Sequence, residues 1–112
     1  DKDWGKEFLD LIVSIKSVKS IEEAIHHIDK HSFGHTDGII SKINKNINIF
    51  AQRVNSSAVT INASTRFNDG GEIGLGSEIA ISTTKVSPRG PLGLEEITTY
   101  KWLIKGNGHI RD

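Results

Sequence analysis

The stretch Gly38-Ile39-Ile40-Ser41, then Ile43, Ile47, Phe50, Ala51 and Val54 at helical spacing, then Ala58-Val59-Thr60-Ile61, decides the fold. It reads as two apolar strands joined by a crossover helix. Parallel neighbours need such a connection, because a tight hairpin joins only antiparallel strands. Upstream, Leu9-Asp10-Leu11-Ile12-Val13-Ser14-Ile15-Lys16 is rich in branched apolar residues and too short for a typical helix, so it predicts a buried strand. Ser20-Ile21-Glu22-Glu23 has the spacing of a capping box. Ile21, Ala24, Ile25 and Ile28 then form one apolar helical stripe, and Gly34 supplies the left-handed residue that ends such an element. The pattern predicts an α/β fold with a βαβαβ parallel sheet.

Beyond Asn62 the composition changes. Asn68-Asp69-Gly70-Gly71, Gly74-Leu75-Gly76 and Ser87-Pro88-Arg89-Gly90-Pro91 concentrate the turn formers, while Ile73, Leu75, Ile79, Ile81, Val86 and Leu92 supply apolar anchors. The prediction is a long ordered loop region, with a short helical turn around Gly93-Leu94-Glu95-Glu96-Ile97. Last, Thr99-Tyr100-Lys101-Trp102-Leu103-Ile104-Lys105 alternates as a strand does, with Tyr100, Trp102 and Ile104 on one face. Such a strand needs a sheet edge to join, on this chain or another.

One domain is as much as 112 residues can build. Lys plus Arg equals Asp plus Glu at 14 each, which disfavours the basic footprint of a nucleic-acid or anionic-membrane binder. No apolar run approaches the ~20 residues of a membrane span. The composition predicts a soluble, cytoplasmic protein. The chain contains no cysteine, so it supplies no disulfide, thiolate metal ligand or thiol nucleophile. It also contains no methionine, which is the basis for expecting a piece of a longer polypeptide.

His27, His31 and His35 stand at i, i+4 and i+8, as metal ligands can. Gly34 interrupts the helix before His35, and histidines near a helix C-terminus suit the helix dipole, so they read as surface residues and no metal site is assigned. Gly71-Glu72-Ile73-Gly74-Leu75-Gly76 matches neither a dinucleotide-binding fingerprint nor a Walker loop and reads as tight turns. Glu22-Glu23 and Glu95-Glu96 are adjacent, about 100° apart on a helix, and make no acid/base pair. Asn62-Ala63-Ser64-Thr65-Arg66-Phe67 directly follows a strand, where open α/β sheets hold ligands, and offers an amide, hydroxyls and a guanidinium for a carboxylate or phosphate. The competing reading is that Asn62 and Ser64 close a turn while Arg66 is solvated; periodicity leaves the two level.

A set of longer motifs then points to a family: Phe33-Gly34-His35-Thr36-Asp37; Asn55-Ser56-Ser57-Ala58-Val59 leading into Asn62 to Gly71; Gly74-Leu75-Gly76-Ser77-Glu78-Ile79; Arg89-Gly90-Pro91-Leu92-Gly93-Leu94-Glu95; and Thr99-Tyr100-Lys101-Trp102. In this order they resemble the C-terminal quarter of the gamma-glutamyl phosphate reductases, also called glutamate-5-semialdehyde dehydrogenases, in the aldehyde dehydrogenase superfamily. The same block ends the bifunctional pyrroline-5-carboxylate synthases.

The resemblance implies part of an NADPH-dependent enzyme of proline biosynthesis that converts L-glutamyl 5-phosphate to L-glutamate 5-semialdehyde and phosphate. In that family a cysteine thiolate displaces phosphate and cofactor hydride reduces the resulting thioester. The nucleophile is then expected upstream of Asp1, and these residues alone are expected to be inactive. Glu7, in Lys6-Glu7-Phe8, is similar to the glutamate that contacts the nicotinamide ribose. Asn62, Ser64, Thr65 and Arg66 match the loop on the substrate side, with Arg66 the candidate for the charged glutamyl end. Arg89 falls in a family motif. Thr99–Lys105 resembles an oligomerisation strand, which implies a homo-oligomer. The implied organisation is residues 1–76 ending the catalytic domain, 77–97 as a returning segment and 98–112 as oligomerisation strand and tail. The rival expectation is a non-catalytic assembly module of the same fold that pairs through its last strand.

Overall fold

The start of the first helix is built as its spacing predicts. The Ser20 Oγ accepts from the Glu23 amide at 3.1 Å, and the Glu23 carboxylate accepts in return from the Lys19 amide at 2.9 Å, one residue earlier than a standard capping box. Helix α1 runs Ile21–His31 and ends at Ser32, whose amide bonds back to the Ile28 carbonyl. In this computed structural model, which describes residues 2–111, the order that follows is β1 (Thr36–Ile39), α2 (Asn44–Arg53), β2 (Ala58–Ile61), a 3-10 turn (Thr65–Phe67), β3 (Ala80–Ser82) and β4 (Gly90–Leu92).

β1 and β2 are parallel, in the register Thr36 to Ala58, Asp37 to Val59, Gly38 to Thr60 and Ile39 to Ile61. Strand alternation sorts their two faces. Ile39 and Val59 pack against the helices, where Ile25, Phe50 and Val54 form the buried core with Ile21, Ile28 and Ile49 around it. The apolar stripe of α1 is therefore placed as expected. That of α2 is not followed throughout: Ile43 and Ala51 are exposed, and Ile49 takes a place at the core instead. The opposite face carries Gly38 and Thr60, and over it the chain doubles back through the 3-10 turn. A Cβ on Gly38 would collide with Thr60 Oγ1 and stand 3.3 Å from Thr65 Cγ2, so only glycine lets the returning chain lie this close.

The parallel sheet has two strands among the described residues, not three. Leu9–Lys16 makes no ladder, and Leu9, Leu11, Val13 and Ile15 stand 77–104% exposed. In a strand Leu9, Leu11, Val13 and Ile15 would share one apolar face, which needs a surface to cover it. Among the described residues the buried core is Ile25, Phe50 and Val54, too small to cover that face as well, and neither two-stranded sheet pairs with the segment. The strand predicted from Gly38 to Ser41 lies two residues earlier.

Residues 62–97, expected as loop, contain an antiparallel pair: Ala80 to Leu92, Ile81 to Pro91 and Ser82 to Gly90. A turn follows at Leu94–Ile97, where the short helical turn was expected. Thr99–Lys105 forms no strand in this chain, and Tyr100, Trp102, Leu103 and Ile104 are 74–90% exposed. Tyr100 and Trp102 do share a face, their rings meeting edge to face at 5.7 Å. Alternation encodes strand character, but a ladder requires a second edge, and neither small sheet pairs with this segment. The Cα radius of gyration is 19.9 Å, where a compact domain of this length would have about 13 Å. Among the described residues no helix is long and apolar enough to cross a membrane.

Candidate functional site

Asn62 stands at the end of β2 with φ +52°, a left-handed conformation that asparagine tolerates better than most residues. Both polar atoms of its side chain are engaged. Oδ1 accepts from the Ser41 amide at 2.8 Å and Nδ2 donates to the Ser41 carbonyl at 3.0 Å, tying together the segments that leave β1 and β2. Ser64 Oγ accepts from the Arg66 amide at 3.2 Å and caps the 3-10 turn, while Thr65 packs its methyl above Gly38. Of the four residues singled out in this loop, Asn62, Ser64 and Thr65 shape it. Arg66 points its chemistry outward.

The Arg66 side chain lines a cleft of about 280 Å³ with Ser64, Phe67, Asp69 and Glu72. Two acids face it because the chain turns sharply after Phe67. Asn68 is buried and donates through Nδ2 to Thr36 Oγ1 at 2.7 Å, anchoring the returning segment on β1. Asp69 Oδ1 then accepts from the Gly71 and Glu72 amides at 2.8 and 3.2 Å, and the buried Gly70 donates to Glu78 Oε2 at 2.8 Å. The turn that these bonds close leaves Asp69 and Glu72 on the cleft that Arg66 lines. Asp69 and Glu72 were not read from the sequence as site residues. Asn68-Asp69-Gly70-Gly71 signals a tight turn, and only the turn's geometry brings Asp69 and Glu72 to the cleft that Arg66 lines.

Glu7 lies elsewhere. It lines a second cleft, of about 630 Å³, together with Trp4, His27, His31, Phe33 and Asp37. Trp4 meets His27 edge to face at 4.8 Å, and the His27 and His31 rings lie 4.6 Å apart. Loss of solvent, followed by the charge of His27, holds the His31 imidazole below its ordinary value. His35 borders the same cleft but stacks on neither ring, and its Nδ1 lies 2.7 Å from Thr36 Oγ1. Among the described residues no three His, Asp or Glu side chains converge as metal ligands. Glu7 and Arg66 line different clefts, so these residues alone do not join the two candidate contacts into one site.

Arg89 has a clear structural partner. Nη1 donates to Asn55 Oδ1 at 2.9 Å and Nη2 to the Asn55 carbonyl at 2.5 Å, fastening the start of β4 to the loop between α2 and β2. At the head of β1, Asp37 Oδ2 accepts from Ser32 Oγ at 2.8 Å and from Ser56 Oγ, which joins the end of α1 to the same loop.

Fold and clefts together define a segment of an α/β protein with a charged cleft formed by the loop beyond its second parallel strand. No protein-family model matches the chain. Individual proteins do: it is 55% identical over 111 residues to the gamma-glutamyl phosphate reductase of Clostridium beijerinckii and 57% identical over the same length to that of a Thermoanaerobacter species. Each match covers 99% of this chain and 27% of the relative, so the chain spans about a quarter of the length of the curated relatives it matches. The crystal structure of gamma-glutamyl phosphate reductase from Thermotoga maritima superposes with a TM-score of 0.91 at 48% identity, over 100% of this chain and 27% of that one. The chain thus fits a fragment of a gamma-glutamyl phosphate reductase, as the motifs imply.

Proposed function

We propose that these residues are part of an NADPH-dependent reductase that converts L-glutamyl 5-phosphate to L-glutamate 5-semialdehyde and phosphate in proline biosynthesis, in the cytoplasm. The observation that carries the reading is the exposed Arg66 in its cleft beyond β2, in a chain 55–57% identical to curated reductases. A guanidinium whose neighbours fix the loop under it is suited to grip a substrate carboxylate through two parallel bonds. Asn62, Ser64 and Thr65 hold that loop in place, and Ser64 also borders the cleft.

Glu7 fits a role toward the cofactor. It is exposed on the border of the larger cleft, and a carboxylate there is an acceptor for a pair of ribose hydroxyls. NADPH, when bound, supplies the hydride that reduces the acyl group, and most of its contacts would come from protein outside these residues. The thiol nucleophile would come from outside them too, so this chain by itself is inactive. In the whole protein residues 1–76 would close the catalytic domain, 77–97 return along it, and 98–112 carry the strand Thr99–Lys105 to a neighbouring subunit of a homo-oligomer. The bare apolar surface of Tyr100, Trp102 and Ile104 supports that last step.

Antibody raised against these residues tests the reading on the native polypeptide. A protein several times longer than 112 residues, whose purified form reduces NADP⁺ with glutamate 5-semialdehyde and phosphate, is expected. A polypeptide of this length alone, without the activity, would favour the assembly module.

A further inference from the structure

Cation and anions share one small cleft. Arg66 lies with Asp69 and Glu72 around about 280 Å³, with the half-exposed Phe67 ring as its apolar wall. Ser64 Oγ and Asp69 Oδ1 are committed to backbone amides. Among the described residues the Arg66 guanidinium and the Glu72 carboxylate make no hydrogen bond, so both keep their capacity for a ligand. One guanidinium against two carboxylates leaves the cleft net negative. A phosphate or a bare dicarboxylate would meet like charge there, whereas a group carrying both signs would meet its complement.

We propose that this cleft is a zwitterion site: Arg66 takes the carboxylate, and Glu72, assisted by Asp69, takes the ammonium of an α-amino-acid headgroup. The acyl-phosphate end of the substrate then points away from Asp69 and Glu72. The proposal rests on the reading of this cleft as the substrate site and adds to it the group that selects for a free α-amine. The lining acids are exposed, so the discrimination rests on charge complementarity: an analogue without the amine brings a bare anion into a net negative cleft.

The test compares two aldehydes with the native protein in the oxidative direction, with NADP⁺ and phosphate: glutamate 5-semialdehyde, and 5-oxopentanoate, which has the same chain and carboxylate but no amine. The readout is the ratio of their kcat/KM values, which does not depend on how much of a variant folds. Glu72→Gln is expected to lower the preference for the amine-bearing aldehyde ~10-fold or more, and Glu72→Asp to restore part of it. An unchanged ratio in Glu72→Gln would overturn the ammonium site. Arg66→Gln separates the two levels: weakened use of both aldehydes with an unchanged Glu72→Gln ratio removes only the ammonium assignment. Unweakened use of both would remove the cleft as substrate site and the proposal with it.

Discussion

Arg89 holds Asn55 by two bonds at once, to the side-chain Oδ1 and to the main-chain carbonyl, across 34 residues of sequence. The clasp fixes the β3–β4 pair against the loop that feeds β2, and β2 leads directly into Asn62 and the charged cleft. A family motif that sequence alone leaves without a role thus has a mechanical one. Charge-assisted bonds of this kind contribute ~1.5–3 kcal/mol. Lysine would offer a point charge where a planar fork is needed. In the native protein Arg89→Lys should therefore behave nearly as Arg89→Ala, with faster amide exchange over Ala80–Leu92 and a lower melting temperature. Exchange in Arg89→Lys equal to wild type would show that the fork is not required.

Gly70 should resist substitution. It is buried, its amide serves Glu78, and a Cβ there would overlap the Ser77 carbonyl, which is backbone and cannot rotate away. Gly70→Ala is expected to cost ~1–3 kcal/mol by forcing the turn apart. The exposed Gly106, whose added Cβ would lie 3.4 Å from His109 Nδ1, should accept alanine within about 0.5 kcal/mol. Equal denaturation midpoints for the two variants would contradict this.

His31 gives the fold a pH dependence with a definite sign. Its folded pKa lies below the unfolded value of 6.5, so the unfolded chain binds the extra proton first. The contribution of neutral His31 is present above the unfolded pKa and is lost as pH falls below about 6.5. The melting temperature of the native protein should decline on acidification through that range, and His31→Gln should flatten the decline. The same slope in the variant would assign it to other groups.

The sequence was most readable where one local rule sufficed. The Ser20–Glu23 spacing marks a helix start, and apolar runs joined by a helical stripe mark the parallel pair β1–β2. It was least readable where pairing or chain reversal decides. Ile81 and Pro91 face each other only because the chain between them folds back, and no alternation longer than three residues announces it. Leu9–Lys16 and Thr99–Lys105 have the residues of strands but pair with neither sheet here. In the candidate site, the chemistry of Arg66 and its place after a strand single it out in the sequence, and it lines the cleft beyond β2. Glu72 is not singled out, because the Asp69 cap that sets it on the same cleft reads in sequence as an ordinary turn.

The most direct test of the central claim is the kcat/KM of the native protein for oxidation of glutamate 5-semialdehyde with NADP⁺ and phosphate, wild type against Arg66→Ala. Loss of a two-point carboxylate contact predicts a fall of ~10-fold or more, with the fold unchanged by circular dichroism. Identical kinetics in the two proteins would contradict the account, since Arg66 would then touch no part of the substrate.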